Sequence, residues 1–247
     1  KDYDNSLVGY WDMETICESG NCGSGNDGKL KDLSGNGNDG IFDGGMVYAN
    51  ALTGGIVGKG LDFVSGSNNI INCGTGKSLE IENQITLIVI FKSRQNALKG
   101  VFTKQSADET SGCGIDGYCG YHIRTGINII VGRSYDKTFN GYSSQDRSLP
   151  SKFYSYIDNF VHVAYTVKNS ESGKIFINGN NLTNNSSNRK LGTLTKSQNP
   201  LLIGRYWNNS LGNIGYDYFN GIIDDIKIYN RALSDEEIKQ HAKAAGF

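Results

Sequence analysis

Short apolar runs recur along the whole chain, separated by stretches of Gly, Asn, Ser and Thr. Runs at residues 7–13, 60–63, 85–92, 101–104, 121–124, 127–132, 160–167, 174–178, 201–204 and 221–229 predict strands. The run at 85–91, Ile-Thr-Leu-Ile-Val-Ile-Phe, is apolar on both parities, which predicts a central strand covered on both faces. In 222–229 the pattern alternates. Ile222, Asp224, Ile226 and Ile228 share one parity, and Lys227 and Tyr229 the other. Asn178-Gly179 directly after an apolar run predicts a tight hairpin turn. One helix is expected. Ser234 caps it, and Glu237, three residues on, completes a capping box before Ile238 and Ala242. Gly246 stops it.

The chain has 247 residues, a size that one β-sandwich accommodates. Gly is abundant (33) and Pro scarce (2), the composition of many short strands joined by polar turns. Lys and Arg number 24 against 25 Asp and Glu, for a net charge of -1 with no basic stripe. That balance excludes nucleic-acid binding by counterion release and polybasic membrane docking. No apolar run reaches the roughly 20 residues that span a bilayer. The start, Lys1 to Asn5, carries no charged and apolar leader pattern, so the chain reads as a mature fragment of a longer protein.

Five cysteines refine the compartment. Cys17 and Cys22 flank one short Gly-containing loop, and Cys113 and Cys119 flank another. Neither spacing is that of a zinc site, so two local disulfides in an oxidising compartment are expected, with free thiols as the alternative. Each bridge would contribute about 2 kcal/mol. Cys73, in a strand-like run, is expected to be a buried free thiol.

Five segments in order resemble the laminin-G-like jelly-roll family of the concanavalin-A-like lectin/glucanase superfamily. They are Leu7-Val8-Gly9-Tyr10-Trp11, the loop from Asp32 to Gly40, Gly58 to Phe63, Phe160-Val161-His162-Val163-Ala164, and the close from Phe219 to Ser234. The part least like the family is 103–159. The resemblance implies an all-β fold: a two-sheet antiparallel sandwich (jelly roll) with one short C-terminal helix, and residues 1–247 as one domain. It implies an extracellular or cell-surface module that binds a ligand or mediates adhesion, with carbohydrate as the ligand class, within a larger surface protein. A purely structural domain displayed on a surface filament, or a glycoside hydrolase, are the alternatives.

The chemistry-bearing residues weigh against an enzyme. The family's hydrolases place carboxylates at alternate strand positions, and no such run occurs here; Asp224-Asp225 is adjacent. His162 sits in an apolar strand and reads as a core histidine, while His122 and His241 show no obvious partners. Asp32, Ser34, Asn36 and Asn38 offer alternating hard oxygens of the kind calcium takes, and a metal-free Asx-turn cluster is the alternative. Asp224, inward by parity, needs a partner or a cation. The resemblance implies one structural calcium ion held by Asp32, Asn36 and Asp224, against an all-protein hydrogen-bond network. For the ligand, residues 205–219 combine rings and amides between two strands. A rim loop is expected there, with Tyr206, Trp207, Asn208, Tyr216 and Asp217 as glycan contacts. The alternative is that the rings seal the core. Sequons at Asn181, Asn184, Asn185 and Asn208 are what chance gives in so Asn-rich a chain.

Overall fold

The computed structural model describes residues 4–18, 28–64, 66–106, 119–126, 129–138, 141–148, 153–183, 194–208 and 215–247. Of 106, 129–138, 141–148, 153–154, 207–208 and 215–216 it describes the backbone alone. The strands form two antiparallel sheets and one separate hairpin. The eight-stranded sheet contains β1 (Leu7–Trp11), β3 (Leu52–Gly54), β4 (Lys59–Phe63), β6 (Gln84–Ser93), β11 (Phe160–Lys168), β12 (Lys174–Ile177), β13 (Asn180–Asn181) and β17 (Gly221–Tyr229). Its order is β13-β12-β11-β6-β17-β4-β3, with β1 also on β17. The seven-stranded sheet runs β10 (Gly141–Ser148), β9 (Ile129–Thr138), β8 (Cys119–Gly126), β7 (Lys99–Ser106), β14 (Leu202–Ile203), β5 (Ile70–Asn72) and β2 (Ile41–Asp43). The hairpin pairs β15 (Arg205–Asn208) with β16 (Gly215–Tyr218). Among the described residues two α-helices are present, a single turn α1 (Tyr48–Ala51) and the expected α2 (Asp235–Ala244). Neither is long or apolar enough to cross a membrane.

The doubly apolar run behaves as its pattern requires. β6 lies between β11 and β17. Leu87, Val89 and Phe91 enter the core between the sheets, where they meet Phe102, Ile123 and Ile203 of the other sheet. Ile88 on the opposite face packs with Ala164, Phe176, Tyr229, Leu233 and Ile238 beneath α2. Each such buried side chain contributes about 1.5–3 kcal/mol. α2 is therefore a cover for the outer face of the sheet and not a rim decoration. Its capping box is formed: Glu237 N donates to Ser234 Oγ, and Ser234 N donates to Glu237 Oε2. Arg231 fastens the start of the helix to the N-terminal strand through Glu237 and Asp4. The Asn178-Gly179 turn has both residues at positive φ (49° and 75°), as a two-residue hairpin demands.

The expected parity of β17 needs correction. A bulge between Ile223 and Ile226 shifts its register, so Ile223, not Ile222, joins Ile226 and Ile228 in the core. The bulge marks the point where β17 leaves β4 and begins to pair with β1. Asp224 and Asp225 occupy it, both buried. Cys73 is a buried free thiol, as expected. Cys17 and Cys119 are buried and are not free thiols, while Cys22 and Cys113 lie outside the described residues.

His162 is buried, yet not as a satisfied core histidine. It lies on the outer face, opposite Ile90, with its ring 6.0 Å from that of Phe247 and no hydrogen-bond partner for either nitrogen. Burial, together with the nearby charges of His241 and Lys227, lowers its pKa from 6.5 to about 4. The unfolded chain therefore binds a proton that the folded chain refuses between these values, and stability falls as pH drops through that window, by about 3 kcal/mol at full effect. Asp224 acts in the opposite sense over nearly the same range, since burial raises its pKa to about 6. Comparing variants separates the two. His162→Leu is expected to gain stability over the native chain at pH 4.5 relative to pH 7.5, read by urea unfolding. An equal gain at both pH values would show that the imidazole is not the titrating group.

Candidate functional site

The expected calcium ligands are placed by the structure in two separate hydrogen-bonded settings. Asp32 is buried and its carboxylate accepts four N–H groups: Tyr10 N (3.0 Å), Ser34 N (3.0 Å), Asn38 N (3.0 Å) and Asn38 Nδ2 (2.9 Å). A carboxylate has about four lone-pair positions, so these donors fill it. Asn38 O in turn accepts the indole N–H of the fully buried Trp11 at 3.0 Å, which ties the loop to the core. Asn36 is exposed and donates through Nδ2 to Leu7 O and Ser34 Oγ. Asp224 belongs to a different segment: its Oδ2 accepts Ile56 N (2.7 Å) and Val57 N (3.1 Å), capping the turn between β3 and β4. Among the described residues no group of three or more His, Cys, Asp or Glu could hold a metal. The Asp32 carboxylate is thus occupied by the protein's own donors, while Asp224 Oδ1 is buried with no hydrogen-bond partner. The Asx-turn reading describes the loop.

The predicted glycan segment is a hairpin rather than an open rim loop. Tyr206 pairs with Asp217, Trp207 with Tyr216, and Asn208 with Gly215. Gly204, at φ 86°, makes the bend from β14 into β15, and its N–H donates to Val101 O. The hairpin then packs on β7 so closely that a Cβ on Gly100 would lie 2.1 Å from Tyr206 N. Tyr206 is 8% exposed, so it is not the open ring platform that a surface loop would offer. Asp217 is half-buried, and the side chains of Trp207, Asn208 and Tyr216 lie outside the described residues.

What the hairpin covers is the more informative feature. The ring of Tyr206 meets His122 edge-on at 5.0 Å, and the Arg124 guanidinium lies 5.3 Å from the Tyr206 centroid. Both residues project from β8 on the face away from the core, since Tyr121 and Ile123, at the alternate positions, enter it. Thr103 of β7 stands directly opposite His122, and Gln105 follows two residues on. The backbone register continues from His122 to positions 133 of β9 and 146 of β10. Among the described side chains, the outer parity of the seven-stranded sheet carries Thr103, Gln105, His122 and Arg124. Sequence reasoning missed these residues, although the signal was present. Thr103-x-Gln105 and His122-x-Arg124 are polar at every second position, and Phe102, Tyr121 and Ile123 stand at the alternate ones.

The sequence signature of the Concanavalin A-like lectin/glucanases superfamily, in its laminin-G branch, matches residues 65–239. The chain belongs to this superfamily. No curated protein matches it. Among solved structures it is similar to the binding domain of Paraclostridial Mosquitocidal Protein 1 (19% identity, TM-score 0.63), covering 98% of this chain and 53% of that one. It is similar to domain 4 of AbnA, a GH43 extracellular arabinanase from Geobacillus stearothermophilus, in complex with arabinotriose (18%, TM-score 0.62; 96% and 98%). It is also similar to the botulinum neurotoxin serotype D ligand binding domain in complex with N-acetylneuraminic acid (16%, TM-score 0.58; 97% and 51%). The chain thus spans about half the length of the toxin domains and nearly all of the arabinanase domain. At these identities the likeness is one of fold.

Because Asp32 is filled by the protein's own donors, Asp32→Ala is expected to destabilise the fold by about 3 kcal/mol, the cost of stranding buried N–H groups. The loss should be the same in excess chelator and in millimolar calcium, measured by thermal or urea unfolding. A loss seen only with calcium present would return the ion to this loop.

Proposed function

We propose that the chain is a carbohydrate-recognition module of a secreted or surface-displayed protein, and that it binds without hydrolysing. The observation that carries the reading is the polar parity of β7 and β8 in the seven-stranded sheet: Thr103 and Gln105, with unpartnered side-chain atoms, beside His122 and Arg124, which Tyr206 covers. Unpartnered buried groups such as those of Thr103 and Gln105 cost free energy unless something completes them, and they suit a ligand rich in hydroxyls. The arabinotriose and N-acetylneuraminic acid complexes of proteins with the same fold support a glycan as the ligand class.

Hydrolysis is disfavoured by burial. Asp224 and Asp225 are the adjacent carboxylates of β17; Asp224 is tied to Ile56 and Val57, and Asp225 accepts Lys227 Nζ at 2.8 Å. Neither opens on a cleft that a glycosidic bond could enter, since their exposures are 0% and 4%. An oxidising compartment fits the cysteines, and we read the pairs as Cys17–Cys22 and Cys113–Cys119. A purely structural, displayed domain is the competing role.

A glycan array carrying both neutral and acidic oligosaccharides tests the reading. Selective, saturable binding is expected, with no reducing sugar released on prolonged incubation. The same preparation, digested without reductant, should yield the two local disulfide-linked peptides. An array with no selective signal favours the structural role, and released sugar favours a hydrolase.

A further inference from the structure

We infer that Thr103 and Gln105 are the hydrogen-bonding residues for a neutral, hydroxyl-rich sugar unit, read from β7 on the outer face of the seven-stranded sheet. The inference rests on the carbohydrate reading above and narrows it to two residues and one ligand chemistry.

Thr103 and Gln105 are 3% and 4% exposed. Thr103 Oγ1, Gln105 Oε1 and Gln105 Nε2 all lack a hydrogen-bond partner. Other buried polar side chains are tied in, such as Asn38 to Val8 O, Ser78 and Asp32, and Thr86 to Thr166 and Arg231 O, while His162 and one carboxylate oxygen each of Asp224 and Asp225 are also without a hydrogen-bond partner. Thr103 and Gln105 place three such atoms on one strand face, and such groups cost stability unless something completes them. The backbone here is not at fault, because Thr103 is paired on both sides, with Leu202 of β14 and His122 of β8.

The open positions also define the ligand. Gln105 Oε1 can only accept, Gln105 Nε2 can only donate, and Thr103 Oγ1 can do either. A carboxylate or phosphate offers acceptors alone and would leave Oε1 unsatisfied. Sugar hydroxyls offer a donor and an acceptor on each oxygen and complete all three. The rings of His122 and Tyr206, 5.0 Å apart, pack on each other beside Thr103 and are both buried.

The test uses Thr103→Val and Gln105→Met, which keep shape and remove the open polar atoms. Binding to neutral oligosaccharides, with arabinotriose as the first probe and N-acetylneuraminic acid as the anionic control, is measured by calorimetry, alongside the melting temperature. The native chain should prefer neutral sugars. Each variant should weaken that binding at least tenfold while its melting temperature stays level or rises, because an unsatisfied buried group has been removed. Retained binding in both variants overturns the assignment. So does lost binding accompanied by a lower melting temperature, which would make the two side chains structural. Native binding to the acidic sugar alone overturns the inference and leaves the carbohydrate reading standing. Absence of any glycan binding by the native chain overturns both.

Discussion

Everything in this fold hangs on the need to cover β6 twice. Its Leu87, Val89 and Phe91 face one way and Ile88 and Ile90 the other, and all are buried. A strand with two apolar faces cannot stand at the surface of a two-layer protein. The second sheet covers one face. On the other, the terminal helix, with Ile238 and Ala242 turned inward, covers what would otherwise be an apolar patch. The helix therefore has to be held at a fixed place. The Ser234 cap, the Arg231 ion pairs and the bond between Tyr229 Oη and His241 Nε2 at 3.1 Å do that.

The same constraint does not require an apolar outer face on the second sheet. One apolar surface suffices for it, supplied by Phe102, Tyr121, Ile123, Ile71 and Ile203. The opposite parity is released from core duty and carries Thr103, Gln105, His122 and Arg124. The strands β8 to β10 widen this sheet. Packing thus covers the outer face of one sheet with the terminal helix and leaves the polar outer parity of the other to the β15–β16 hairpin, delivered by the bend at Gly204.

Sequence periodicity captured most of the architecture because strand parity and core burial have the same physical cause. Residues 85–91, the Asn178-Gly179 turn and the Ser234 cap were each legible from local pattern alone. The parity of β17 was not, because the bulge at Asp224-Asp225 follows from a change of partner strand that no local pattern encodes. Asp32 looked like a metal ligand because its neighbours carry hard oxygens. Its actual donors include Tyr10 N and both nitrogens of Asn38, which only the folded loop brings to it. In the segment 205–219, Tyr206 is turned onto the sheet, and the residues beneath it, His122 and Arg124, lie some eighty positions earlier in the chain. His122 seemed partnerless for the same reason: its ring neighbour arrives from a distant hairpin.

The central claim is that ligand meets this domain on the outer face of the seven-stranded sheet. The most direct measurement is an NMR titration of the isotope-labelled chain with the glycan selected on the array, following backbone amides. The account predicts that the largest shifts fall on Lys99–Ser106, Cys119–Gly126 and Arg205–Asn208. Shifts concentrated instead on the 32–38 loop, or on the helix Asp235–Ala244, with β7 and β8 unmoved, would contradict it.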